Sequence, residues 1–334
     1  MDFRFNDNQI LFAEATKEML TTECTASRLR QMIGNEEGTI SGVWANLASI
    51  GVLGMTGPER VGGLEMTDID LVLIMEELGN VICPETVIEH TAIGIPFLSK
   101  YGEGKIGDDL LADFVSGKQR ISVGLCSLYV LNADSADYFL MKNVDEIHFL
   151  PRKDTVLTFQ KSIDETRRLF RVEWDPADGT IITKSEQVLE ETMLSAATAT
   201  AAQCLGIASH LLKETISYVK EREQFGKPVG VNQAIKHHLA DTGKAIEFAR
   251  PMVHRAAWAI SNEDDDRAAS VAMAKYLASK AVDHACRTAL QCHGAIAYTI
   301  EYDLQLWMKR GWALSAAWGD MNSQRNKIAE NLGV

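Results

Sequence analysis

Two apolar stripes at helical spacing dominate the second half of the chain. Leu205, Ala208, Leu212, Ile216 and Val219 form one, and Ile235, Leu239, Ile246, Ala249 and Val253 form the other. Residues spaced in this way lie on one face of a helix, and a helix carrying such a face must bury it against another element. Between the stripes, Gln224-Phe225-Gly226-Lys227-Pro228-Val229-Gly230 supplies the Gly and Pro that end one helix and start the next. A third helix is expected after Glu263-Asp264-Asp265-Asp266, because negative charge suits a helix N-terminus. The stripes predict an antiparallel helix bundle over residues 187–334.

Upstream the texture differs. Leu71, Ile74, Met75 and Leu78 mark a helix with Thr67 as its cap and Gly79 as its stop, preceded by a shorter helix from Val43 to Leu53. Residues 8–33 and 86–117 also read as helical, so residues 1–119 form a helical domain. From residue 120 short runs rich in β-branched and aromatic residues take over: Ile121-Ser122-Val123-Gly124-Leu125, Tyr138-Phe139-Leu140-Met141, Ile147-His148-Phe149-Leu150, Val156-Leu157-Thr158-Phe159 and Leu169-Phe170-Arg171-Val172-Glu173-Trp174. With the turn Asp175-Pro176-Ala177-Asp178-Gly179, they predict a small, mostly antiparallel β domain over residues 120–186. The fold class is α+β, mainly α.

Composition narrows the function. The 334 residues include 33 basic and 46 acidic ones, a formal charge of −13, which disfavours binding a nucleic-acid backbone through bulk electrostatics. No apolar run is long enough to span a bilayer, and the start resembles no signal peptide. The six cysteines are scattered without a C-x-x-C pair, which points to reduced thiols in the cytoplasm. Adjacent His237 and His238 point to different sides of a helix and cannot share a metal ion. No zinc, G-x-S-x-G, Rossmann or Walker pattern occurs, so no metal site is expected.

Two local patterns carry chemistry. Arg222-Glu223-Gln224-Phe225-Gly226-Lys227-Pro228 places a guanidinium fork at a sharp corner, suited to a phosphate or carboxylate. On spacing alone, an αα-turn with a solvated arginine is the simpler reading. Gln291-Cys292-His293-Gly294-Ala295-Ile296-Ala297 offers an amide beside small residues that let a ligand approach closely. The plainer alternative is a helix C-cap at Gly294.

In combination and order these segments resemble the acyl-CoA dehydrogenase family. Leu47-Ala48-Ser49-Ile50-Gly51-Val52-Leu53-Gly54, then Pro58-Glu59-Arg60-Val61-Gly62-Gly63 and Met75-Glu76-Glu77-Leu78-Gly79, look like its N-terminal segments. Arg222-x-x-Phe225-Gly226-x-Pro228, with Gln233 nearby, and Gln291-x-x-Gly294 are similar to its flavin-contacting set. The resemblance implies a helical domain, a small β-barrel-like middle domain and a C-terminal four-helix bundle. It also implies α,β-dehydrogenation of an acyl-CoA, with FAD and an electron-transfer acceptor. It implies that Arg222 (on the pyrophosphate), Gln224 and Phe225 reach FAD from a neighbouring subunit. Gln233, Gln291, His293, Gly294 and Ala295 complete the expected cofactor contacts.

Two departures qualify it. Where the family usually carries its catalytic Glu, this chain reads Ala317-Trp318-Gly319-Asp320, and Gly319 has no proton acceptor. The other position used in the family falls on Ala196. The segment that covers the flavin ring also looks deleted, since Ile121-Ser122-Val123-Gly124-Leu125-Cys126-Ser127 runs almost directly into Leu131-Asn132-Ala133-Asp134. This pattern is similar to the short, non-catalytic subunit of heteromeric α2β2 dehydrogenases of bacterial steroid side-chain degradation. It implies a longer homologue as partner, FAD shared at the interface, and no catalytic residue in this chain. Two alternatives stay open: a self-sufficient enzyme using a displaced carboxylate such as Asp320, Glu190 or Glu191, and a flavin-free structural homologue. For Asp320 the alternative role is capping the helix that begins at Met321.

Overall fold

The structure, a computed structural model, describes residues 4–333. Six helices come first: α1 (Asp7–Glu23), α2 (Ala26–Gly34), α3 (Val43–Ser49), α4 (Asp68–Asn80), α5 (Ile95–Tyr101) and α6 (Asp108–Val115). A π-helical stretch, Ile88–Gly94, leads into α5. Thr67 is the N-cap of α4, as its position predicts, and the Asp70 carboxylate accepts its backbone N–H at 2.8 Å.

Gly79 does not stop α4, which runs on to Asn80. A Cβ at Gly79 would lie 2.1 Å from the Gln203 carbonyl oxygen, and one at Gly206 would lie 1.9 Å from that of Glu76. Both glycines are therefore demanded by a close backbone crossing of two helices. The helix begun at Val43 ends at Ser49, short of Leu53, because the chain turns through Gly51 at φ +86°.

Seven strands follow. β1 (Ile121–Gly124), β3 (Tyr138–Asn143), β4 (Glu146–Pro151) and β7 (Thr180–Thr183) form one sheet in the order β1-β3-β4-β7. β2 (Tyr129–Leu131), β6 (Leu169–Trp174) and β5 (Thr155–Gln160) form the other, in the order β2-β6-β5. Among the described residues, β1–β3 is the one parallel pairing in these two sheets. Val130, Phe139, Leu150 and Phe170 belong to a separate small core cluster in this unit.

The bundle is built from α7 (Glu186–Glu221), α8 (Gln233–Ser261), α9 (Arg267–His293), α10 (Leu304–Ala316) and α11 (Met321–Leu332). A two-residue-per-strand hairpin, β8 (Glu223–Gln224) and β9 (Lys227–Pro228), separates α7 from α8. Ala196, Ala201, Ala202 and Ala208 of α7 and Ala274, Ala278 and Ala285 of α9 are all buried, and these short side chains let the two helices lie close. One continuous apolar core runs from the N-terminal helices through the bundle.

Candidate functional site

Chemistry-bearing residues gather in two places. The first is the end of the bundle where α7 stops and α9 stops. The Tyr218 ring, in the last turn of α7, stacks on His293, the last residue of α9, with centroids 4.2 Å apart. The Tyr218 hydroxyl donates to the His293 carbonyl oxygen at 3.4 Å. Arg222 is the C-cap of α7, its N–H donating to the Tyr218 carbonyl at 2.8 Å. Tyr218 therefore joins the two sequence patterns, a role that nothing in its neighbouring residues signals.

Within this end the polar groups face outward. Arg222, Gln224, Gln233, Gln291, Gly294 and Ala295 are exposed, and Phe225 is 99% exposed. Phe225 and Gly226 both have positive φ, the geometry of a tight hairpin turn that holds the ring out into solvent. Gln233 opens α8, separated from the hairpin by the 3-10 turn Val229–Val231. Gly294 caps α9 at φ +66°, as its position predicts, and a Cβ there would meet nothing within 4 Å. His293 is buried. Its Nδ1 lies 2.8 Å from the Ala289 carbonyl oxygen, so the hydrogen belongs on Nδ1 and Nε2 is left as an acceptor. That Nε2 is buried without a partner among the described residues. Burial also pushes the His293 pKa down, which keeps the ring neutral.

The second place surrounds the loop between α10 and α11. Gly319 sits at φ +100°, and a Cβ built on it would lie 2.1 Å from Nε2 of the buried Gln324. The position lacks a carboxylate, and any side chain placed there would have to adopt the positive φ and move the Gln324 amide. Asp320 is the N-cap of α11: its carboxylate accepts the Ser323 N–H at 2.7 Å, and those hydrogen bonds hold its pKa below the usual range. Ala196 is wholly buried in α7. Glu191 accepts from Tyr101 at 3.1 Å and from Gln187 at 3.2 Å. The buried Lys275 ammonium donates to the Leu314 and Ser315 carbonyl oxygens at 3.0 and 3.1 Å, fixing the end of α10 that leads into this loop.

Beside the loop lies a buried charge cluster that sequence reasoning missed. Arg310 Nε donates to Asp164 at 2.5 Å, Nη1 to the Cys83 carbonyl at 3.0 Å, and Nη2 to Thr166 Oγ1 at 2.6 Å. These contacts tie the bundle to the β unit and to the segment after α4. Arg167 and Glu89 complete the cluster, with burial pushing the Glu89 pKa up against the opposing pull of Arg167. The one available signal was Arg310 itself, a charge that with Lys309 follows Leu306, Trp307 and Met308 in α10. Among the described residues no group of His, Cys, Asp and Glu is placed to hold a metal ion, and no helix is long and apolar enough to cross a membrane.

Sequence models place this geometry among known proteins. Residues 6–118 match "Acyl-CoA dehydrogenase, N-terminal domain" and residues 187–333 match "Acyl-CoA dehydrogenase, C-terminal domain". The chain is 29% identical to acyl-CoA dehydrogenase IpdE2 of Mycolicibacterium smegmatis over 97% of its own length and 98% of that protein's. It is 27% identical to IpdE2 of Mycobacterium tuberculosis, covering 90% and 89% of the two chains. Among solved structures, the Tcur3481-Tcur3483 steroid ACAD G363A variant superposes with a TM-score of 0.88 at 22% identity, covering 98% of each chain. The ChsE4-ChsE5 complex from Mycobacterium tuberculosis gives 0.86 at 19% identity, covering 100% of this chain and 99% of that one.

Proposed function

The chain belongs to the acyl-CoA dehydrogenase family, and from that premise we propose that it is the non-catalytic subunit of a heteromeric, FAD-dependent member. In this reading it pairs with a longer homologue as an α2β2 heterotetramer and lends its bundle end to a flavin shared across the interface. The observation that carries the reading is Gly319. The place we read as that of the general base holds a glycine at φ +100° with no proton acceptor, while the bundle end we read as facing the dinucleotide stays open and polar. A chain keeping its own chemistry needs a proton acceptor at the position of Gly319 as well as the open end.

The residues at the bundle end fit a dinucleotide. Arg222 offers a planar fork to a pyrophosphate. Gln291 offers both donor and acceptor to a heterocycle edge. The open space at Gly294 admits a close approach, and the unpartnered His293 Nε2 provides an acceptor for a hydroxyl. When bound, FAD supplies the hydride acceptor for α,β-desaturation of an acyl-CoA. The partner supplies the carboxylate that takes the α-proton, and the exposed Phe225 hairpin docks against that partner. Exposed apolar side chains cluster here, with Tyr298 at 76% and Ile300 at 67%, which supports an interface at this end.

The solved relatives named as pairs, ChsE4-ChsE5 and Tcur3481-Tcur3483, support the heteromeric reading, and the description of the latter as a steroid ACAD supports a bulky steroid side-chain thioester as substrate. Co-purification tests the proposal. The chain alone is expected to be colourless and inactive, while the chain with its longer homologue is yellow and oxidises acyl-CoA. Yellow, active protein from the chain alone would overturn the reading in favour of a displaced base. A colourless complex would overturn it in favour of a flavin-free homologue.

A further inference from the structure

Strand β5 (Thr155–Gln160) is an edge of its sheet, with β6 as its one strand neighbour. An edge strand presents a row of backbone N–H and C=O groups, and natural proteins blunt such rows with charge, proline or a bulge. β5 has none of these devices. Its sequence, Thr-Val-Leu-Thr-Phe-Gln, holds no charge and no proline, and its register with β6 runs without a shift from Thr155 opposite Trp174 to Gln160 opposite Leu169. Val156 is 63% exposed and Phe159 54%. Among the described residues, the β5 backbone bonds outside the β6 ladder only to the Arg152 carbonyl, through the Thr155 N–H, and to the Gln160 side chain, at 3.5 Å through the Thr158 carbonyl.

We propose that the β5 edge pairs antiparallel with the same strand of a second copy of this chain, about a two-fold axis at Thr158. The two-fold keeps each face of the sheet continuous, so opposed residues differ by an even number of positions. With Thr158 on the axis, Leu157 faces Phe159 twice and Thr158 faces itself, and Thr opposite Thr is a favourable cross-strand pair. Leu157 already packs on the small core cluster of the β unit, so the pairing joins two such clusters into one. The adjacent registers are worse. Moving the axis to Leu157 sets Lys153 against Lys161, and moving it to Phe159 sets Lys161 against Leu157. Charge complementarity points to the same occupant. A groove at the start of β5 carries Asp154, Glu173, Asp175 and Asp178 against Lys153. Lys161, just past the other end of the strand, is exposed and makes no ion pair among the described residues. Antiparallel pairing brings the Lys161 end of each copy to the acidic groove of the other.

Hydrogen exchange of the full chain reads this edge directly, whatever other surfaces associate. Exchange in the 155–160 segment is expected to slow as the concentration rises from low to high micromolar. Thr158→Lys and Thr158→Glu each place like charges on the axis and are expected to raise the concentration needed for protection about tenfold or more. Thr158 is exposed, so neither change disturbs the fold. An equimolar mixture of the two variants sets Lys against Glu and is expected to restore the protection. Exchange independent of concentration in the unaltered chain overturns the proposal, as does protection that survives Thr158→Lys or a mixture that restores nothing. Protection that appears only on adding the longer homologue also overturns it and gives the edge to that partner. The readout involves neither flavin nor turnover, so its failure and the failure of the shared-flavin reading are separate results.

Discussion

The His293 imidazole lies over the Tyr218 ring at 4.2 Å between centroids, with the planes inclined by 23°. This pair is what makes a single surface out of two sequence patterns some 70 residues apart, since the hydroxyl–carbonyl bond of the same pair spans 75 positions. Stacked rings of this kind contribute about 1 kcal/mol beyond their area. Tyr218→Leu keeps an apolar body but removes the stacking and the hydroxyl. It is expected to lower the stability of the chain by about 1 kcal/mol and to reduce the flavin retained by the co-purified complex. The measurement is the flavin-to-protein ratio after gel filtration, and an unchanged ratio would show that the two ends act independently.

Restoring a carboxylate at Gly319 is expected to fail. Gly319→Glu must force φ +100° on a residue with a Cβ and displace the buried Gln324 amide, which donates to the Trp318 carbonyl oxygen at 3.4 Å. Strained backbone of this kind costs about 1–3 kcal/mol. Gly319→Ala should show a comparable fall in melting temperature, because the backbone conformation and the Cβ are common to both variants. Acyl-CoA oxidation by the Gly319→Glu chain without a partner would mean that the rest of a working site had been present all along.

What could be read from the sequence was local. Asp320 as a cap, Gly294 as a helix end and the break between two helices at 224–230 all depend on residues within a few positions of one another, and each stands where the pattern put it. Interactions between distant segments left no such trace. Asp164 and Arg310 are 146 positions apart, and neither has a neighbour in sequence that announces the other. Gly79 looked like a helix stop because its real partner, the Gln203 backbone, belongs to another helix. Strands β2 and β7 went unread: three and four residues long, they are too short to establish an alternation.

Phe225 separates folding from assembly. A ring 99% exposed and held at φ +54° contributes little to the isolated chain. Phe225→Ala is expected to change its unfolding free energy by less than about 0.5 kcal/mol. If the hairpin docks into the longer homologue, the same variant should weaken the complex by about 2 kcal/mol, as loss of an aromatic anchor does. Sedimentation of the mixed chains reads the second quantity and thermal unfolding the first. A complex as tight as the unaltered one would move the interface away from this end of the bundle.

Burial also sets a pH dependence. His90 is wholly buried, with Nε2 3.0 Å from the Phe114 carbonyl oxygen and Nδ1 accepting the Ile121 N–H at 3.2 Å. Both ring nitrogens are thus committed in the neutral form, and desolvation pushes the pKa down from 6.5 to about 4. Between those values the unfolded chain binds the proton and the native chain does not, so stability rises with pH through this window. The contribution is complete above about pH 6.5 and is lost as the pH falls towards 4, a total of about 3 kcal/mol. His210 and His254, also pushed down to about 4 by burial, act in the same direction. Glu85, whose pKa burial raises to about 7, acts in the opposite one. The difference between two proteins isolates the one group. Urea unfolding at pH 7.5 and 5 should show the unaltered chain losing about 2 kcal/mol more than His90→Gln. Equal losses would mean that the imidazole accepts its proton within the native fold and that the Ile121 bond does not hold it neutral.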